Sequence, residues 1–213
     1  MPRMNRIVKA GRTLTAAEAK AVKAVAPRRG STSAKIVELV GKLGDQPELR
    51  TLSGIVIASG LLTANRRLVR AGVRMILAHE LATLAKDLIK ERIDRIRPHS
   101  AKTQSDRAVK PGRHTAKTET SFPSGHSAGA VAVARAFGRQ YPQHMAPALG
   151  AAAVVAGMQV PRLNHYPTDV AAGMLLGVVS EAVANLVFLG DAEHQDDQAA
   201  PRPEAPRRPP PRA

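Results

Sequence analysis

The chain has 213 residues, 32 Lys and Arg against 17 Asp and Glu, and a formal net charge of +15. It contains no cysteine and no tryptophan, which excludes a disulfide framework, a thiolate metal site and a cysteine nucleophile. So large a positive excess points to a polyanion: nucleic acid, an anionic membrane surface or a phosphorylated substrate.

Residues 1–50 form a basic head with eleven Lys and Arg and four acids, Glu18, Glu38, Asp45 and Glu48. The head lacks the apolar stretch of a signal peptide and reads as a solvated or membrane-surface extension, partly disordered. Within it, Ile36, Val37, Leu39, Val40 and Leu43 predict a short amphipathic helix over 34–43. Residues 51–190 carry five apolar stretches, at 52–64, 73–89, 126–137, 145–160 and 170–189. The last three are rich in Ala and Gly, as in close-packed membrane helices, and offer almost no charged outer face. The expected fold is therefore all-α, a membrane-embedded, multi-pass bundle of five to six helices. A soluble all-α core is the competing reading, because the mean hydropathy is −0.18. Strand alternation is weak and no internal repeat is visible. Residues 191–213, rich in Pro and Arg, are expected to form a disordered tail.

Three short patterns carry chemistry. In Lys90-Glu-Arg-Ile-Asp-Arg-Ile-Arg97-Pro98 the seven-residue interval would place Lys90 and Arg97 on one face of a helix that Pro98 closes. Two such cations make a phosphate clamp, or else a solvated face paired with Glu91 and Asp94. In Ser121-Phe-Pro-Ser124-Gly125-His126 the Pro and Ser announce a helix start. Gly125 would let the backbone approach an anion, and the first-turn N–H groups would attract it beside His126. The bland reading is an ordinary N-cap with a surface histidine. In Arg162-Leu-Asn-His165-Tyr-Pro-Thr-Asp169, Asp169 lies four residues after His165, in reach of one imidazole nitrogen. A carboxylate there would fix the tautomer and leave the other nitrogen as nucleophile or base. Metal-ligand spacing is lacking, so no metal is expected. Together the patterns describe a phosphoryl-transfer site built from cations, backbone N–H groups and two histidines.

These residues resemble the type 2 phosphatidic acid phosphatase (PAP2) superfamily, whose signature is Lys-x6-Arg-Pro, Pro-Ser-Gly-His and Ser-Arg-x5-His-x3-Asp. Lys90 to Pro98 and Pro123 to His126 match fully, and His165 to Asp169 matches the end of the third pattern. The resemblance implies a lipid phosphate phosphatase working without metal or cofactor. His165 would be the nucleophile forming a phosphohistidine, Asp169 its orienting carboxylate and His126 the general acid. Lys90, Arg97, Ser124 and Gly125 would bind the phosphate. Where the signature has Ser-Arg, this chain has Met158-Gln159, and Arg162 is the candidate replacement for the missing cation.

The substrate expected is a phosphorylated lipid, a phosphate monoester or isoprenyl diphosphate, with the remaining basic residues docking on an anionic membrane surface. A catalytically weak member that binds anionic lipid or a partner, and a soluble acid phosphatase, are the alternatives. Nucleic acid is disfavoured, since net charge alone supports it and the three ordered motifs would go unexplained.

Overall fold

The computed structural model of the protein describes residues 2–103, 105–113, 116 and 119–188, with side chains from residue 13 onward; the expected tail at 191–213 lies outside them. Seven helices follow one another among the described residues: α1 (Pro2–Val25), α2 (Thr32–Lys42), α3 (Gln46–Leu62), α4 (Arg66–Lys90), α5 (Gly125–Gln140), α6 (Met145–Gly157) and α7 (Pro167–Leu186). The strand content is one two-residue ladder, β1 (Ile93–Asp94) antiparallel to β2 (Lys110–Pro111). The five apolar stretches all fall on helices, α3 to α7, and the amphipathic segment at 34–43 falls on α2.

Helix starts follow local chemistry. Ser31, Asn65 and Ser124 each accept a hydrogen bond from the backbone N–H three residues on, satisfying a donor the helix cannot use itself. Pro47 and Pro167 occupy first-turn positions, where their missing N–H costs nothing.

The bundle is built around α5, whose residues Ser127 to Ala134 are all buried. Its face at Ala128, Ala132 and Ala136 meets Leu49 of α3, Met75, Ala78 and Ala82 of α4, and Ala184 of α7. Its other face, at Ala130, Val131 and Ala134, meets Ala152 and Val155 of α6. Side chains this small let backbones touch. A Cβ on Gly173 of α7 would collide with the Ser124 carbonyl oxygen, so only glycine permits α7 to sit against the start of α5.

Parts of the outside of the bundle are apolar. Leu175, Val179, Val183 and Leu186 form an exposed stripe along α7, and Leu52, Ile55 and Leu62 are exposed on α3. Among the described residues α7 is the one helix both long and apolar enough to cross a bilayer.

Candidate active site

The chain leaving α4 builds the site by pairing extended segments. Expected to continue as helix to Arg97, it stops at Lys90, because Pro98 bars helical geometry at the residue before it and β1 claims Ile93 and Asp94. Lys90 and Arg97 therefore do not share a helix face. In the extended path burial alternates instead: Arg95 and Arg97 are buried and Ile96 between them is half-buried. Arg95 then pairs with the second motif, its N–H donating to the Glu119 carbonyl at 2.8 Å and its carbonyl accepting from Ser121 N at 2.9 Å. This brings Ser121 and the start of α5 beside the first motif. The third motif joins through Ser124 N, which donates to the Asp169 carbonyl at 3.0 Å, and His99 N, which donates to the Leu163 carbonyl at 3.3 Å.

His165 sits at the meeting point, 1% exposed. Its Nδ1 donates to the Ser121 carbonyl at 2.8 Å, which fixes the tautomer with an unprotonated Nε2. That Nε2 is buried and has no hydrogen-bond partner, a costly state for a polar atom unless a ligand meets it. Burial holds the imidazole below the usual histidine pKa, and the cations Arg97 and Lys90 nearby act in the same direction. The ring is therefore neutral, with a lone pair at Nε2.

Asp169 was expected to hold His165 directly. Its Oδ2 lies 3.8 Å from Nδ1, too far for a hydrogen bond, because both carboxylate oxygens are already engaged. Oδ2 accepts from Ser121 Oγ and from Tyr166 N at 2.9 Å, and Oδ1 accepts from Arg95 Nη1 at 2.5 Å. Asp169 thus acts on His165 through Ser121 and by charge. Arg95 continues the network, donating to Glu18 of α1 at 2.7 Å, to Thr168 Oγ1 at 2.8 Å and to the Arg107 carbonyl at 2.9 Å, with its guanidinium 4.0 Å above the Tyr166 ring. Glu18 in turn accepts from the backbone N and Oγ1 of Thr168 at 2.9 and 2.6 Å, so α1 grips the first turn of α7.

His126 stands on the first turn of α5, its ring centroid 5.9 Å from that of His165. Its Nε2 lies 2.5 Å from Asp45 Oδ1, so the second histidine has a carboxylate partner that the first lacks at bonding distance. Lys90 is tethered by donating to the Thr120 carbonyl at 2.5 Å. Burial, with the neighbouring Arg97 and Lys86 charges, pulls the Lys90 ammonium down to about 7. Burial likewise lowers the Arg97 guanidinium.

The remaining sequence candidates land close by in altered roles. Ser124 is fully buried as the N-cap of α5, its Oγ accepting from Ser127 Oγ at 2.8 Å. Gly125 opens α5, and a Cβ there would meet Lys86 Cδ at 2.7 Å. Gln159 is fully buried and turned toward α2, donating to the Gly41 carbonyl at 3.0 Å and the Val155 carbonyl at 3.3 Å. Arg162 makes a two-pronged bond to Glu38 through Nε at 3.0 Å and Nη2 at 3.1 Å, and donates from Nη1 to Gln159 Oε1 at 3.3 Å.

Sequence reasoning missed Glu18, Glu38, Asp45, Arg95 and Ser121. Arg95 carried a signal, since a basic residue two before Arg97 in an extended chain shares its side. Ser121 acts through its backbone as well as its hydroxyl, and the head carboxylates lie scores of residues from their partners.

Two solved structures share this architecture. The transmembrane PAP2-type phosphatidylglycerolphosphate phosphatase of Bacillus subtilis aligns over 90% of this chain and 90% of its own, with a TM-score of 0.61 and 21% identity. Aquifex aeolicus LpxE aligns over 78% of this chain and 92% of its own, with a TM-score of 0.59 and 19% identity. No curated protein matches the chain. The PAP2 superfamily model matches residues 69–190, the stretch holding both histidines, Asp169, Lys90 and Arg97, and by that match the chain belongs to the PAP2 superfamily.

Proposed function

We propose that the protein is a multi-pass membrane phosphatase that hydrolyses a lipid phosphate or isoprenyl diphosphate by double displacement through His165. The observation that carries this reading is the buried, unpartnered Nε2 of His165, on a ring held in its tautomer by Ser121 and near enough to Arg97 and Lys90 to feel their charge. Nε2 attacks phosphorus while the bond to the leaving oxygen breaks, and His126 gives that oxygen its proton, exchanging the Asp45 contact for the leaving group. Water then attacks the phosphohistidine with His126 as base, releasing phosphate and restoring neutral His165. Lys90, Arg97 and Arg162, with the N–H groups at the start of α5, hold the phosphoryl oxygens. Asp169 keeps the charge balance beside the imidazole.

The lipid part of the reading rests on the surface. Apolar stripes on α3 and α7 face outward, the reverse of a soluble helix, and suit acyl chains. The crossing segments would be the apolar stretches within α3 to α7, ending before Lys90 on α4. A cavity of about 540 Å³ between α3, α5 and α6, lined by Leu49, Leu52, Val56, Val133 and Phe137, has the chemistry of a hydrocarbon slot. One of its lining residues, Val155, lies with His126 against Gly44, which places one end of the slot near the site. The exposed lysines of the head, such as Lys35 and Lys42, would dock on anionic headgroups.

Gln159 favours one alternative, a catalytically weak member that binds anionic lipid, because its side chain points to α2 and carries no charge. One assay separates the two. Purified protein in detergent is given phosphatidic acid and an isoprenyl diphosphate, with His165→Ala as control. Phosphate release lost in His165→Ala is the expected result. No release from either lipid, or release unchanged in the variant, overturns the proposal.

A further inference from the structure

The segment from Glu38 to Asp45 lies outside the matched stretch 69–190, yet it is wrapped over the site. Glu38 binds Arg162 with both carboxylate oxygens. The Gly41 carbonyl accepts from Gln159, and a Cβ on Gly41 would collide with Arg162 Cδ, so the arginine stem passes across bare backbone. Gly44 faces His126, and Asp45 bonds to its Nε2.

Arg162 is the centre of this arrangement. Its side chain is 8% exposed, and it lies near enough to His126 and Arg97 for its charge to oppose theirs. A guanidinium has five N–H groups. Glu38 takes one on Nε and one on Nη2, and Gln159 Oε1 takes one on Nη1. The other two, one on each terminal nitrogen, are not used by Glu38 or Gln159 and can donate to phosphate oxygens. A cation brought close to Arg97 would repel it; the Glu38 carboxylate offsets that charge while leaving two N–H groups of Arg162 for a ligand.

We infer that Glu38 and Gln159 are positioning residues that hold Arg162 as the third phosphate-binding cation, so that α2 is a working part of the site. This rests on the phosphate site of the preceding proposal and extends it to the head of the chain. Gln159 then ties Arg162 to α2 through a single amide, accepting from the guanidinium and donating to Gly41.

The test uses the full chain in detergent and reads the affinity for inorganic phosphate, by calorimetry and as a competitive inhibition constant, alongside KM and kcat for a lipid phosphate. Glu38→Gln is expected to weaken phosphate binding and raise KM by about 10-fold, with a smaller change in kcat, since a two-pronged ion pair is reduced to a single bond to an amide oxygen. Gly41→Ala should act in the same direction by displacing the arginine stem. Arg162→Gln should weaken binding by about 100-fold. Thr32→Ala, on an exposed position of α2, should leave all constants unchanged and controls for the helix itself. Unchanged phosphate affinity in Glu38→Gln overturns the inference. Tighter binding also overturns it, because Glu38 would then compete with phosphate for Arg162. Phosphate binding is read without turnover. A wild-type protein that binds phosphate with this mutational pattern but releases none from lipids would defeat the catalytic reading and leave this one standing.

Discussion

Helix α7 carries two buried carboxylates, and they serve opposite ends. Glu181 is 2% exposed, and its two oxygens meet Arg135 Nε and Arg139 Nε of α5, each at 2.9 Å. Both oxygens are answered by cations one helix away. Asp169 is as deeply buried and better bonded, yet its network ends beside a histidine nitrogen with no partner. The first carboxylate ties α5 to α7. The second ties a loop, a helix start and α1 around a histidine whose Nε2 has no partner. Burial of a charge therefore does not mark a site. An unpartnered imidazole nitrogen with cations nearby is the feature that sets the Asp169 end apart.

Substitutions can break or sharpen that contrast. The largest effect belongs to the unpartnered atom: His165→Ala should lower phosphate release at least about 10³-fold, measured as kcat against a lipid phosphate. Asp169→Asn comes next. It removes the charge that Arg95 and Ser121 surround and should lower kcat by about 10²-fold and stability by about 3 kcal/mol, read by thermal unfolding alongside turnover. Arg95→Lys keeps the charge but loses the fork that reaches Asp169, Glu18 and Thr168 together. A fall of about 10-fold in kcat with KM little changed would identify it as positioning the nucleophile's surroundings.

The pH dependence of kcat/KM, which reports the free enzyme, gives a smaller and signed effect. Burial lowers the His165 pKa, so the nucleophile stays neutral and active below the ordinary histidine range, and the acidic limb should lie under pH 6.5. Lys90 is drawn down to about 7, so it is charged below that pH and loses its charge above it; phosphate binding should weaken as pH rises through about 7. Lys90→Arg should move that alkaline limb upward, because a guanidinium stays charged. The smallest effect on turnover is expected at the other carboxylate. Glu181→Gln should cost about 1–2 kcal/mol of stability, moderated because Arg135 and Arg139 are partly exposed and can rehydrate, and leave kcat per folded molecule unchanged. A loss of kcat in Glu181→Gln comparable to that in Asp169→Asn would erase the distinction between the two ends of α7.

Much of the bundle was legible in the chain. Ala- and Gly-rich apolar runs bounded by Ser, Asn and Pro specify helices locally, since caps and first-turn prolines act within a few residues. The three motifs were legible for a similar reason: each is a short run of residue types suited to phosphate chemistry. The head was not. Its 24-residue α1 shows no apolar run, and among its described side chains only Glu18 and Val22 are buried, so its place depends on a partner 77 residues away, Arg95.

The sequence by itself determined helices α2 to α7, the order of the motifs and the residue types that phosphate chemistry needs, because these follow from local propensity and from the chemistry of Lys, Arg and His. Tertiary structure decided who holds whom. It moved the partner of His165 Nδ1 from Asp169 to the Ser121 carbonyl, gave Asp169 to Arg95, and assigned Glu18, Glu38 and Asp45, three of the head's four acids, to Arg95, Arg162 and His126. Hydrogen bonds are directional and reach about 3 Å, so which of several suitable groups meets another is fixed by how the helices pack and not by their spacing along the chain. The +15 excess belongs to the same account: a basic head reads as a mere polycation in one dimension, while in three dimensions its few carboxylates reach the site.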